Sequence, residues 1–191
     1  MLKLKFLFDN RDLAKMLLDN WKYDESSLDM FKYNRISSNA VYPFQSEGKV
    51  QLLRFAPASE KDKMSILGEL EFLQYLSLKQ FPALKTVLLK NGKELITAET
   101  PWGEYHASVF DRVTGVQLGE TDFNESIMFE FGKTLGRLHK LSSRYVPANK
   151  RWSYEDVLSW IDRTLSERRN QNTAMRETEL LRNYFSRIPK T

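Results

Sequence analysis

Apolar residues recur along the first half of the chain at two different periods. In RDLAKMLLDNW, Leu13, Met16, Leu17 and Trp21 fall at steps of three and four, the spacing of one helix face, and Asp9 or Asn10 stands where a helix cap belongs. That spacing predicts a helix over 11–21. From Met30 to Phe55 the period shortens, and DMFKYNRI, AVYPFQ and KVQLLRF read as three strands of an antiparallel meander. Ser37, Ser38 and Asn39 divide the first two, and a turn at Glu47 and Gly48 divides the second from the third. After PASEKDK, the run MSILGELEFLQYLSL predicts a helix with Ile66, Leu70, Leu73 and Leu76 on its apolar stripe and Glu69 at the stripe's edge. KTVLLKNGKELITAE then sets Asn91-Gly92 between two strand-like runs, a hairpin signal whose central residues both call for positive φ. TPWGE turns into YHASVFDRV, which completes five or six antiparallel strands with one helix inserted after the third.

Beyond Val116 the strand period gives way to helices. FNESIMFEFGKTLGRLHKLSS predicts one with Ile127, Phe131, Leu135 and Leu138 inward, and His139 reads as a packing histidine within it. YEDVLSWIDRTLSERR and TAMRETELLRNYFSRI predict two more. The fold class is therefore α+β, with a lobe boundary expected near Gly115 and no internal repeat or low-complexity stretch.

Composition narrows the function classes. At 191 residues, 41% of them hydrophobic and 13% aromatic, the chain can bury a true core. Its charge of +4 is spread along the whole length, so no basic block points to nucleic acid or a membrane surface. With no cysteine and only His106 and His139, disulfides, thiolate sites and a histidine metal cluster are not expected. No window reaches the roughly 18 apolar residues of a membrane span, and Lys3 and Lys5 interrupt the apolar N-terminus. A mature cytoplasmic protein is the expectation.

Arg54 breaks the apolar alternation of KVQLLRFAP, and a charge that cannot be lost has to be accounted for on a strand inside a sheet. The plain account is an aliphatic stem buried and a head reaching solvent. The other begins from the order of parts: a hairpin, a third strand ending in a cation, a helix bearing a carboxylate, then more antiparallel strands. This order resembles the nucleotide lobe of protein-kinase-type phosphotransferases. Arg54 can offer ATP phosphates a fixed positive charge and Glu69 can hold that cation in place, although Glu60 and Glu71 are nearby alternatives. The backbone of Ser37, Ser38 and Asn39 can lie over the phosphates, or form an ordinary hairpin turn.

At these residues the chain resembles the aminoglycoside phosphotransferase and choline kinase-like enzymes. The likeness runs through SSNAVYPF, VQLLRFAP and GELEFLQYL, with Glu69 six residues before Tyr75, and on through LLKNGKELI, FDRVTG and LGRLHKLS. It implies that Arg54 contacts the nucleotide phosphates and that Glu69 pairs with Arg54. It also implies that Phe110 backs the adenine pocket, and that the backbone of Asp111 and Val113 bonds the adenine edge. It implies ATP, as Mg-ATP in a complete enzyme, with a small-molecule acceptor. By this resemblance, 1–110 form a nucleotide-binding N-lobe, 111–116 a hinge and 117–191 an incomplete helical C-lobe.

The family's His-Gly-Asp catalytic loop, with its later Asn and metal-binding Asp, has no counterpart, since His106 precedes Ala107 and His139 precedes Lys140. Asp122-Phe123-Asn124 lies before the helix where that loop should follow it, and it carries no catalytic weight. The expectation is the front portion of a small-molecule kinase, inactive by itself. The alternative is a non-catalytic binding module. The first of these also expects an exposed apolar face on the last two helices, which favours a homodimer.

Overall fold

The computed structural model describes residues 8–122, 124–149 and 154–168. The chain divides into two compact units, Met1–Arg151 and Trp152–Thr191. The first opens with helix α1 (Arg11–Leu18), capped by Asn10, whose side chain accepts the Leu13 N–H. Leu13, Ala14, Leu17 and Leu18 are its buried residues, with Trp21 just beyond. Met16, expected on this face, is 43% exposed. At 100° per residue the buried arc centres between Leu17 and Trp21, and Met16 lies about 130° from that centre.

Six strands form one antiparallel sheet: β1 (Arg35–Ile36), β2 (Ala40–Ser46), β3 (Lys49–Pro57), β4 (Thr86–Val87), β5 (Ile96–Thr100) and β6 (Gly103–Asp111). Their order is β1-β2-β3-β6-β4, with β5 also on β6. The β2–β3 turn matches its sequence signal, since Glu47 at φ 50° and Gly48 at φ 75° both take the positive φ that a two-residue hairpin needs.

Two expected strands differ. DMFKYNRI is mostly a 3-10 helix, Glu25–Tyr33, and only Arg35–Ile36 joins the sheet. Leu28 and Phe31, three residues apart, repeat with the 3-10 period, and Phe31 is buried edge-on against Tyr42 at 5.1 Å. The runs on either side of Asn91-Gly92 are joined at the turn, where the Leu89 N–H donates to the Lys93 carbonyl at 2.8 Å, but their strands pair with β6 and not with each other. Val87 pairs with Val109 and Ile96 with Ala107, so β4 and β5 lie end to end along the same edge of β6. Gly92 alone of the two turn residues has positive φ, at 80°.

Alternation along the strands gives the sheet two faces. Tyr42, Phe44, Leu53, Phe55, Tyr105, Ala107 and Val109 point to one face and form the core with Leu13, Leu17, Trp21 and Phe31. Leu52, Arg54, His106, Ser108 and Phe110 point to the other, where the register sets Arg54 beside Ser108 and Leu52 beside Phe110. On that side lies α2 (Lys63–Leu78), capped by Asp62 and burying Gly68, Leu70 and Leu76, with Ile66 and Leu73 half-buried.

Helix α3 (Glu125–Ser142) begins at Asn124, whose side chain accepts the Ile127 N–H. It buries none of its residues. Ile127 and Leu138 are half-buried, but Phe131 and Leu135, expected inward, are 49% and 40% exposed, and His139 is exposed instead of packed. Its C-terminal half meets the end of α2 through Arg137 and Leu141. In the second unit, α4 (Tyr154–Arg168) opens with Glu155 and Asp156, acids placed favourably at a helix N-terminus. The helix expected in TAMRETELLRNYFSRI falls outside the described residues.

Candidate nucleotide site

Strand β3 carries Arg54 out of the sheet toward α2, where its guanidinium meets Glu69 as a fork. Nη1 donates to Oε1 at 2.7 Å and Nη2 to Oε2 at 3.0 Å. This bidentate arrangement is the strongest geometry available to such a pair. It also chooses among the three glutamates, because Glu71 is bonded elsewhere and Glu69 takes the cation. One face of the guanidinium lies 4.6 Å from the centre of the Phe110 ring, so a buried aromatic holds it from below. The side chain of Arg54 keeps 19% of its surface exposed and that of Glu69 keeps 36%. A guanidinium has five N–H groups, and two are committed to Glu69. The remainder, with a locked rotamer and little surface left in water, suit an anionic ligand.

Ser37, Ser38 and Asn39 form the β1–β2 turn, tightened by the Ser37 N–H donating to the Asn39 carbonyl at 3.0 Å. Val41, opposite Arg54 on β2, is two residues further along, so the turn stands about 7 Å down the strand from the cation. At the other end of β6 the Arg112 N–H donates to Val50 at 3.1 Å. By the alternation of an antiparallel ladder, the neighbouring Asp111 N–H and carbonyl point away from β3. The Asp111 N–H is taken by the Lys85 carbonyl at 2.9 Å. Val113 is 66% exposed in the segment that follows.

Arg54, Glu69 and Phe110 are thus in mutual contact. The 37–39 turn and the 111–113 segment lie at opposite ends of the same sheet, and among the described residues neither is hydrogen-bonded to the cation. Two contributors were not legible beforehand. Gln51, 8% exposed on β3, donates through Nε2 to Asp111 Oδ1 at 3.1 Å and holds the end of β6. A polar residue in phase with the buried Leu53 and Phe55 in VQLLRF was the available signal. The second is Glu71, whose partners lie 77 and 78 residues away.

His106 is buried on the Arg54 face, with its Nδ1 2.9 Å from Thr97 Oγ1. Burial pushes its pKa below the ordinary value of 6.5, Lys63 adds to this, and Glu104 and Asp62 oppose it. Above about pH 6.5 the imidazole is neutral whether the chain is folded or not. Below it the unfolded ring takes a proton that the folded ring refuses, so stability falls from about pH 6.5 down to the lowered folded value. Urea midpoints measured from pH 7.5 to 5.5 should decline, and His106→Gln should flatten the decline. A slope unchanged in the variant would assign it to other groups.

Among the described residues no group of three or more His, Asp or Glu is placed to hold a metal ion. Nor is any helix among them long and apolar enough to cross a membrane.

Comparison with known proteins decides the family. Residues 33–190 match the model of the phosphotransferase enzyme family. The chain belongs to that family. As a member of it, the chain is 25% identical over 171 residues to amicoumacin kinase of Bacillus subtilis (strain 168), a match covering 86% of this chain and 50% of the kinase. It therefore spans about half the length of that curated relative. Among solved structures it is similar to amicoumacin kinase hAmiN in complex with AMP-PNP, Ca2+ and Ami, with a TM-score of 0.75 and 20% identity over 98% of this chain and 57% of that one. The microcompartment-associated aminopropanol kinase gives a TM-score of 0.61 and 19% identity over 76% of this chain and 45% of that one. The α+β kinase-like fold, with its six-stranded antiparallel sheet, is that of these proteins.

Proposed function

We propose that this chain is the ATP-binding portion of a small-molecule O-phosphotransferase. The observation that carries the reading is the forked Arg54–Glu69 pair stacked on Phe110, in a chain of the phosphotransferase family. Arg54 clamps the phosphates, and the backbone of Ser37, Ser38 and Asn39 covers them. Phe110 backs the adenine ring. The Asp111 carbonyl accepts from the adenine amine, since its own N–H is engaged, and the Val113 N–H donates to the ring. Residues 1–110 act as the nucleotide lobe, 111–116 as the hinge, and 117–191 as the start of a helical lobe. ATP would act as Mg-ATP in the complete enzyme, which we place in the cytoplasm.

In the transfer, the acceptor oxygen bonds to the γ-phosphorus, the bond from that phosphorus to the β–γ bridging oxygen breaks, and ADP leaves. A base must take the acceptor's proton. The 191 residues contain no His-Gly-Asp sequence to supply that base. We therefore expect calorimetry with ATP and Mg2+ to detect binding by this chain, and a coupled ADP assay to detect no turnover with amino-alcohol acceptors. Indifference to millimolar ATP would overturn the reading, and measurable turnover would overturn the inactivity.

A second reading, a non-catalytic module that binds a partner or a second copy of itself, is favoured by the outer face of α3. Met128, Phe129, Phe131 and Leu135 there are each 40–69% exposed. Sedimentation at micromolar concentration would give a dimer under that reading.

A further inference from the structure

Glu71 follows Glu69 by two residues on α2, about 200° further round the helix, so the two carboxylates leave it on opposite sides. Glu71 Oε1 accepts the Ala148 N–H at 2.7 Å, while Oε2 accepts the Asn149 N–H at 2.9 Å and Asn149 Nδ2 at 2.8 Å. The Ala148 amide first, then Asn149, pull its pKa down to about 2.

The same stretch of α2 is fastened at three further points. The Tyr145 ring lies 4.9 Å from both Phe72 and Tyr75. The Tyr75 hydroxyl donates to the Leu141 carbonyl at 3.0 Å. At the helix end, Arg137 Nη2 donates to the carbonyls of Lys79 and Gln80 at 3.3 and 2.9 Å. Helix α2 is thus held along one side by the end of α3 and the residues after it, and on the other side it presents Glu69 to Arg54. Bonds of 2.7 and 3.0 Å tolerate little sliding, because a shift of about 1 Å takes either of them out of hydrogen-bond range.

We propose that Glu71 is a positioning residue for the Arg54 clamp, and that by fastening α2 to Ala148 and Asn149 it sets where Glu69 meets the guanidinium. This rests on the reading of Arg54 as a phosphate ligand. It assigns α2 the part of a fixed strut, with the clamp assembled before any nucleotide arrives.

The test separates the phosphates from the base. ATP with Mg2+, and adenosine alone, are titrated into the chain, into Glu71→Ala, into Arg54→Ala and into the double variant. Glu71→Ala should weaken ATP about fivefold and leave adenosine within about twofold, and it should cost nothing further once Arg54 is gone. Equal losses for both ligands, or additive losses in the double variant, would overturn the proposal. Should Glu71→Ala fail to fold, Glu71→Gln and Asn149→Ala each remove part of the same contact and should give a smaller loss of the same pattern. A second readout needs no ligand: the Arg54 Nε–H resonance in a 15N spectrum should shift or broaden in Glu71→Ala. If it does not move, the proposal fails whatever ATP does. If it moves while the unaltered chain ignores ATP, the strut stands and the nucleotide reading falls.

Discussion

Arg54→Ala should weaken ATP binding by about tenfold to a hundredfold while leaving the fold intact. Hydrogen bonds to a charged group contribute about 1.5–3 kcal/mol each, and every 1.4 kcal/mol is tenfold in affinity. The loss has two parts. The phosphates lose a cation already held in place by Glu69 and Phe110, and Glu69 is left without its fork. Arg54→Lys separates these parts. Its ammonium keeps the charge but cannot reach both Glu69 oxygens in one plane, so an intermediate affinity is expected. Calorimetry on the three proteins at one salt concentration reads the result, and an affinity unchanged in Arg54→Ala would remove Arg54 from the nucleotide site.

Trp21→Ala should cost about 3–5 kcal/mol of folding stability, the range for truncating a fully buried large aromatic. Trp21 is 1% exposed, and its indole N–H donates to the Val87 carbonyl at 3.0 Å. The ring therefore ties the residues after α1 to β4 across 66 positions of sequence. Trp21→Phe keeps most of the packing but orphans that carbonyl, for about 1–3 kcal/mol. Urea unfolding followed by far-ultraviolet dichroism measures both. A loss under about 1 kcal/mol for Trp21→Ala would mean that α1 is not part of the cooperative core. Trp21 packs on the sheet face opposite Arg54, so Trp21→Phe should bind ATP as the unaltered chain does.

The parts legible in the sequence were those in which local preference and tertiary contact agree. The Glu47-Gly48 turn, the Asn10 cap and the stripe of Leu70 and Leu76 each follow from one short stretch. The pairing of Arg54 with Glu69 was legible through the family resemblance, whereas by the residues alone Glu60 and Glu71 stood as near alternatives. Where the two diverged, contact prevailed. Asn91-Gly92 is a hairpin signal by itself, yet the long β6 strand offers one edge on which both flanking strands can lie, and each takes β6 in place of the other. Leu28 and Phe31, three residues apart, would leave a strand on opposite faces but share one side of a 3-10 turn, and Phe31 there reaches Tyr42. Glu71 was invisible as a clasp because nothing near it in sequence marks Ala148 and Asn149 as its donors.

The order of the sheet also bears on how the chain avoids its own kind. A strand with one side unpaired is a template on which another chain can grow a fibril. Here the nine residues of β6 are flanked by β3 along one side and by β4 and β5 along the other. Among the described residues the open margins fall to β1 and β4, of two residues each, and to the five of β5. Such short margins offer a second molecule few consecutive amides to add to.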